Sequence, residues 1–369
     1  MKVESISIQN FKLFENFQLS FKNKTLDEVS NRFLILGDNG TGKTSLLQAI
    51  ALPLALATRS GPTHSVSNFD WMGFLPGRFW EWGTPRIELE VSFEDEEIEA
   101  TREVASRWHA SIPNEFKAKR PFAEPADKKL IRIVLNDEHW IVGDDTPEDR
   151  AMFHGRYYAH KLLRREPSAH SQLSRLPGIF WFDQFRNLGS NPYSEGNGER
   201  KEHRDGISFD AGVGRLRQFL IEWRLKQESG RIYDKDSLKE LETLYQKLFP
   251  GRSFRGVECL PSLRSPTEME FYFLLDDGKY KYDIVEMSAG EQSVFPILYE
   301  IVREQIAYSV VLIDEIDLNL HPPAGQSLVS QLFRMAPHCQ YIITTHSESV
   351  SNAIGNNDTF RLKGGALCL

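Results

Sequence analysis

The sequence predicts an α/β protein with a mixed β-sheet core, an antiparallel β lobe and a short helical lobe, and three observations carry that prediction. Residues Arg32 to Leu36 (RFLIL) form a continuous apolar run that passes directly into a glycine-rich loop and then a Leu- and Ala-rich stretch. That is the pattern of a strand buried on both faces feeding a helix. The carboxy-terminal third alternates helical and strand patterns, as a parallel sheet requires. The amino terminus alternates apolar and polar residues, as half-buried antiparallel strands do.

Taken in order, VESISIQNF and FENFQLSF between Val3 and Phe21 read as an antiparallel pair. The apolar strand follows, and a helix begins near Lys43. From about Ala57 to Gly178 the pattern changes. An aromatic stretch (Phe69, Trp71, Phe74, Phe79, Trp80, Trp82) precedes the strand RIELEVSF. The acidic run EDEEIEATRE then starts a helix, because carboxylates favour the positive end of the helix dipole. KLIRIVLNDEHWIVG reads as a hairpin turning near Asn136 and Asp137. GIFWFD, from Gly178 to Asp183, is another apolar strand, and the polar stretch from Asn187 to Asp205 reads as mobile. Helices near Val213 to Gln227 and Ser237 to Leu248 form the helical lobe, without the heptads of a long coiled coil. Short strands fill Phe254 to Glu286, with the turn Asp276 to Lys279 joining two of them. This divides the chain into residues 1–56, an inserted lobe at 57–177, a middle region at 178–286 and a carboxy-terminal half at 287–369.

Composition excludes several classes. Hydrophobic residues make up 40% and charged residues 26%, with a formal net charge of -8, so the surface as a whole is no nucleic-acid glove. A local basic groove remains compatible with that charge. Cys259, Cys339 and Cys368 are far apart in sequence and form no CxxC pair, which argues against a disulfide framework or zinc knuckle and for a reducing cytoplasm. The most apolar run, SLLQAIALPLALA from Ser45, is broken by Gln48 and Pro53 and is too short to span a bilayer. A soluble, cytoplasmic protein is expected.

Four motifs carry chemistry. Gly37-Asp-Asn-Gly-Thr-Gly42-Lys43-Thr44 fits the phosphate-loop pattern and sits between strand and helix, the context the motif requires. Its glycines let backbone N–H groups curl toward phosphates. Lys43 supplies a cation, and the Thr44 hydroxyl can ligate Mg²⁺. Val310-Val-Leu-Ile-Asp314-Glu315 is an apolar strand ending in two carboxylates. The first can hold Mg²⁺ and the second can polarise an attacking water. Ser288-Ala-Gly290-Glu291-Gln292 precedes an apolar helix; on its own it reads first as an ordinary helix cap and only second as a phosphate contact. Tyr341-Ile-Ile-Thr-Thr-His346 is a strand ending in a histidine that, alone, reads as structural.

In this order the motifs resemble ABC-type ATPases of the RecF and structural-maintenance-of-chromosomes group. SAGEQ stands where that group has its LSGGQ-like signature, departing from it at Ala289 and at Glu291 with Gln292. Asp317-Leu-Asn319-Leu320-His321-Pro322 resembles the D-loop region, and Ile8-Gln-Asn-Phe11-Lys resembles the opening strand. The likeness covers about Met1 to Leu56 and Gly178 to Ser351. It implies an ABC-type head that hydrolyses ATP with Mg²⁺. Asn39, Gly40, Gly42, Lys43, Thr44, Ser45, Gln184, Ser288, Gly290 and Glu291 are then the nucleotide contacts. Thr44, Gln184 and Asp314 serve the metal, and Glu315 and His346 serve catalysis. Such heads bind ATP between two copies, the signature of one completing the phosphate loop of the other, so a homodimer or higher even oligomer is expected.

No long coiled coil interrupts the chain, and with Leu369 soon after His346 no TOPRIM nuclease is expected. The sequence thus resembles the stand-alone ATPase subunits of bacterial antiphage systems such as PARIS and Septu, in which a separate nuclease or toxin is the effector. The alternative is a RecF-like repair clamp on duplex DNA. Lys117, Lys119, Arg120, Lys128, Lys129, Lys161, Arg164, Arg165, Arg252 and Arg255 are its candidate phosphate contacts, although each reads singly as solvated surface charge. The aromatic stretch could stack on bases, pack the lobe or form a protein interface.

Overall fold

The computed structural model describes residues 1–59, 66, 74, 83–117, 122–163, 166–184, 209–229, 236–261, 267, 269–336 and 338–363. The polar stretch from Asn187 to Asp205, most of the aromatic stretch, and Lys119, Arg120, Arg164 and Arg165 lie outside them.

Strands β1 (Lys2–Phe11) and β2 (Phe14–Ser20) pair antiparallel. Val3, Ile6, Ile8 and Phe11 of β1 are buried; Ile6 and Ile8 keep the period of two, and a register shift between Val3 and Ser5 against the neighbouring strand interrupts it. Strand β3 (Arg32–Leu36) is buried from Phe33 onward and leads through the glycine loop into α1 (Lys43–Thr58). Almost every residue of α1 is buried, including Pro53. A helix without a polar face must lie inside the molecule. Its side chains join those of β1, β3 and the strands described next in one core.

β4 (Arg86–Ser92) pairs with β1, and β5 (Leu130–Asn136) and β6 (His139–Val142) follow it outward. The strands of the 57–177 segment therefore extend the sheet of β1 and β2, in the order β2-β1-β4-β5-β6. Helix α2 (Asp95–Ala110) begins with a capping box between Glu94 and Glu97, in the predicted acidic run. With the short helices α3 (Asn114–Lys117) and α4 (Pro147–Ala151) and with α5 (Gly155–Leu163), it completes this region. Helices α2 and α5 and a 3₁₀ turn at Pro167–Arg175 share a small core.

β7 (Ile179–Phe182) returns to the centre. Helices α6 (Phe209–Glu228) and α7 (Ser237–Leu248) form the helical lobe against a three-stranded antiparallel sheet. That sheet consists of β8 (Ser253–Pro261), β9 (Met269–Asp276) and β10 (Lys281–Asp283). Then come α8 (Ala289–Arg303), β11 (Val310–Ile313), α9 (Pro322–Met335), β12 (Gln340–Thr345), α10 (Glu348–Ile354) and β13 (Thr359–Arg361).

The core sheet runs β13-β3-β12-β11-β7, and every pairing in it is parallel. The mixed character expected of the core thus resolves into a parallel sheet and a separate antiparallel one. Helix α1 lies between them, while α7, α8 and α9 cover the other face of the parallel sheet. Gln340, fully buried, ties the two sheets: its side chain accepts from Val3 N at 2.7 Å and donates to Val3 O at 2.8 Å. Among the described residues no helix is long and apolar enough to cross a membrane.

Candidate functional site

In a parallel sheet every strand ends on the same side, and ligands collect at that edge. Register brings the motifs there. Leu36 at the end of β3 pairs with Thr345, and Ile313 at the end of β11 pairs with both Ile343 and Phe182. The loops leaving β3, β12, β11 and β7 therefore carry the phosphate-loop residues, His346, the acidic pair and Gln184 side by side. Asp314 N donates to Phe182 O at 2.9 Å, which fixes the acidic pair beside the segment holding Gln184. His346 is exposed at this edge.

The glycine loop has the backbone its sequence demands. Gly40 and Gly42 both adopt left-handed φ, at 80° and 96°, a region open to glycine at no steric cost. At Gly42 the neighbours matter too, since an added Cβ would lie 3.2 Å from Phe14 Cζ. Lys43 is 5% exposed, and its ammonium donates to Gly37 O and Asp38 O at 2.9 and 3.0 Å. The cation is thus held within the loop it serves. Asn39 and Gly40 are exposed at the loop's tip, and Ser45 lies half-buried in the first turn of α1.

Asp314 is fully buried and bridges two hydroxyls. Thr44 Oγ1 donates to one carboxylate oxygen at 2.7 Å, and Thr344 Oγ1 donates to the other at 2.5 Å. Thr344 Oγ1 also accepts from Glu315 N at 2.8 Å. Glu315 stands at φ 44°, a strained setting for a residue with a Cβ. One threonine therefore orients both acids. Beside it, Thr345 Oγ1 donates to Asp317 at 2.5 Å and accepts from Ser347 N at 2.9 Å, linking the loop after the acidic pair to the loop after β12.

A hydroxyl and a carboxylate in contact make a hard-oxygen donor pair. That pair suits Mg²⁺, which keeps waters and takes its remaining ligands from substrate phosphates. No group of three or more metal-binding side chains is found among the described residues, so a cage of protein ligands alone is not what this edge offers.

The signature turn is built differently. Ser288 caps α8 in a capping box with Glu291. Ser288 Oγ and N both donate to Glu291 Oε2, at 2.7 and 3.0 Å. Gly290 lies close against the loop after the acidic pair, where an added Cβ would meet Leu320 and Asn319 O. Ser288 and Ala289 are exposed, while Glu291 is 2% exposed and points inward. The carboxylate of Glu291, expected among the nucleotide contacts, is engaged inside its own chain. Among the described residues, none of the hydrogen bonds or ion pairs of Ser288 or Glu291 reaches the phosphate-loop residues.

Sequence reasoning missed Thr344, Thr345 and Gln340. Their signal was present: polar residues in a strand whose six positions are all buried must find partners. Several of the basic candidates are paired within the chain. Lys128 contacts Asp144 and Asp149, Lys129 contacts Asp95, Arg252 contacts Asp277, and Arg255 contacts Asp276. Lys161 lies over the ring of Tyr157. Phe74, the described aromatic of its stretch, is buried in the main core.

A protein-family model described as "AAA domain, putative AbiEii toxin, Type IV TA system" matches residues 33–352. The retron Ec83 probable ATPase of Escherichia coli is 22% identical over 414 residues, covering 99% of this chain and 72% of the relative. The retron Vc95 probable ATPase of Vibrio cholerae serotype O1 biovar El Tor is 21% identical, covering 96% of this chain and 72% of the relative. The Septu protein PtuA of Bacillus mycoides (strain KBAB4) is 24% identical over 94% of this chain, which spans 38% of that relative. Among solved structures, the SmcHead bound to the C-winged helix domain of ScpA aligns with TM-score 0.48 at 15% identity, covering 96% of this chain and 93% of that one. The SMC head domain from Thermotoga maritima aligns with TM-score 0.42 at 13% identity, covering 96% and 92%.

Proposed function

Since this chain belongs to the AAA-domain family described as "AAA domain, putative AbiEii toxin, Type IV TA system" and is an ATPase of the ABC type, we propose that two copies close face to face around ATP. In this reading the closed dimer controls a separate effector, a nuclease or toxin, in antiphage defence. One observation carries the dimer. The phosphate loop, acidic pair and histidine share one edge, whereas, among the described residues, the hydrogen bonds of the exposed Ser288 side chain and N–H run to Glu291 and not to that edge. A phosphate contact from Ser288 then comes from the facing copy.

The residues divide the work. Lys43 and the loop N–H groups hold the phosphates of ATP. Thr44 and Asp314 hold Mg²⁺, with Gln184 beside them, and the ion supplies charge neutralisation on the phosphates when bound. Glu315, oriented through Thr344, accepts the proton of the attacking water. His346 contacts the γ-phosphate, and Ser288 with Gly290 contacts it from the opposite side. ATP favours the closed state because both copies contact it only there, and hydrolysis releases that preference.

The effector part rests on the relatives, two named for retrons and one for Septu. The intramolecular pairing of Lys128, Lys129, Arg252 and Arg255 favours it over a duplex-binding groove. The test is to purify tagged Glu315→Gln protein from its own host with ATP and identify what accompanies it. A stoichiometric nuclease or toxin is expected. DNA without a protein partner would overturn the effector reading in favour of the repair clamp.

A further inference from the structure

Glu291 sits where the signature turn meets the helical lobe. Its Oε2 holds Ser288, as described above. Its Oε1 accepts from the hydroxyls of Tyr245 on α7 and Tyr282 on β10, the latter at 2.9 Å. Arg252, in the loop between α7 and β8, lies with Nε 3.5 Å from the same oxygen. One carboxylate therefore has the signature serine on one side and three groups of the helical lobe and its sheet on the other. Ser288 has a single hydroxyl proton, so donating to a phosphate means turning away from Glu291. The donors from Tyr245, Tyr282 and Arg252 then keep the carboxylate, and the backbone N–H of Ser288 bound to it, where they are.

We propose that Glu291 is the positioning residue of the signature serine, and that Tyr245 and Tyr282 couple the placement of the helical lobe to hydrolysis in the facing subunit. This rests on the face-to-face reading given above. A partner that moves α7 changes the signature without touching the nucleotide. Burial works to raise the carboxyl of Glu291, but the hydrogen bonds from Tyr245, Ser288 and Tyr282 outweigh it and hold it below the usual range. Burial and the same carboxylate push both phenols up, so they remain donors around neutral pH. The device is mechanical rather than a proton switch.

The test uses the Tyr245→Phe/Tyr282→Phe double variant, which keeps both rings. Tyr245 packs on Phe249, Phe254 and Phe295 through its ring, with centroids 5.2 to 5.8 Å away, so the fold survives loss of the hydroxyl. Tyr282→Phe alone, at a half-buried site, is the milder second variant. The expected result is a fall in kcat of about tenfold, the scale of a hydrogen bond to a charged group, with KM for ATP within about twofold. Co-expression with Lys43→Ala should restore hydrolysis, because one composite site then pairs an intact phosphate loop with an intact signature. The control is Ser288→Ala co-expressed with Lys43→Ala.

An unchanged kcat overturns the proposal, and so does a parallel rise in KM. Recovery in the Ser288→Ala control without recovery for the tyrosine variant also overturns it, and leaves the face-to-face reading intact. Recovery in neither mixture overturns both.

Discussion

Replacing Thr344 by valine removes one hydroxyl while keeping a β-branched side chain of similar volume in a fully buried strand position. The consequences follow from its two bonds. Asp314 loses the 2.5 Å donor to one carboxylate oxygen, a charge-assisted bond worth about 2 kcal/mol. Glu315 N loses its acceptor at 2.8 Å, a neutral hydrogen bond worth about 1 kcal/mol. Thr344 is closed to solvent, so water cannot take its place. The variant should therefore unfold with about 3 kcal/mol less stability in urea titrations followed by tryptophan fluorescence. Function should suffer separately, because Glu315 stands at φ 44° and its N–H is one anchor of that conformation. Steady-state hydrolysis should show kcat lowered by about tenfold, a part of what a general base contributes. Thr344→Ser keeps the hydroxyl and should recover most of both. Stability within about 0.5 kcal/mol of the parent together with an unchanged kcat would refute the reasoning.

Other perturbations test other links. Gly42→Ala forces a Cβ into a left-handed backbone and to within 3.2 Å of Phe14; titration calorimetry should find ATP affinity lowered by about five- to thirtyfold, since a strain of about 1–2 kcal/mol falls on the loop itself. Lys43→Ala should abolish measurable ATP binding in the same assay, and unchanged affinity would remove the phosphate-loop assignment. Fully buried Arg156 donates to Glu304 O at 2.8 Å and Leu173 O at 3.0 Å; Arg156→Met should cost about 3 kcal/mol, read as a lower urea midpoint. Burial pushes the Glu304 carboxyl up, yet His160, Arg303 and Arg156 outweigh it and hold it at about 2, against an ordinary 4.5. A depressed folded value means the stabilisation is complete above the ordinary value and is lost as pH falls toward 2. Glu304→Gln should accordingly flatten the acid limb of a stability profile between those values, and an unchanged limb would count against the network.

The parts of this molecule that sequence made legible are the local ones. The phosphate loop, the acidic pair and the cap at Ser288 each lie within a few residues, so spacing alone reveals them. The strands from Val3 to Phe21 and the hairpin at Asn136 and Asp137 were readable for the same reason, since period and turn are local signals. What escaped depends on which strands become neighbours. Thr344 serves Asp314 only because β12 lies beside β11, and β4 joins β1 across a long stretch of chain. The partners of Glu291 also escaped, because nothing near it in sequence announces Tyr245 or Arg252. Strand β13, three residues long, is too short to carry a period.

Two copies closing around ATP is the central claim, and the mass of Glu315→Gln in solution tests it most directly. The variant keeps the phosphate loop and the signature but loses the group that accepts the proton of water, so bound ATP should persist. Light scattering should give a monomer without nucleotide and twice that mass with saturating ATP and Mg²⁺. A monomer under saturating ATP and Mg²⁺ would contradict the account.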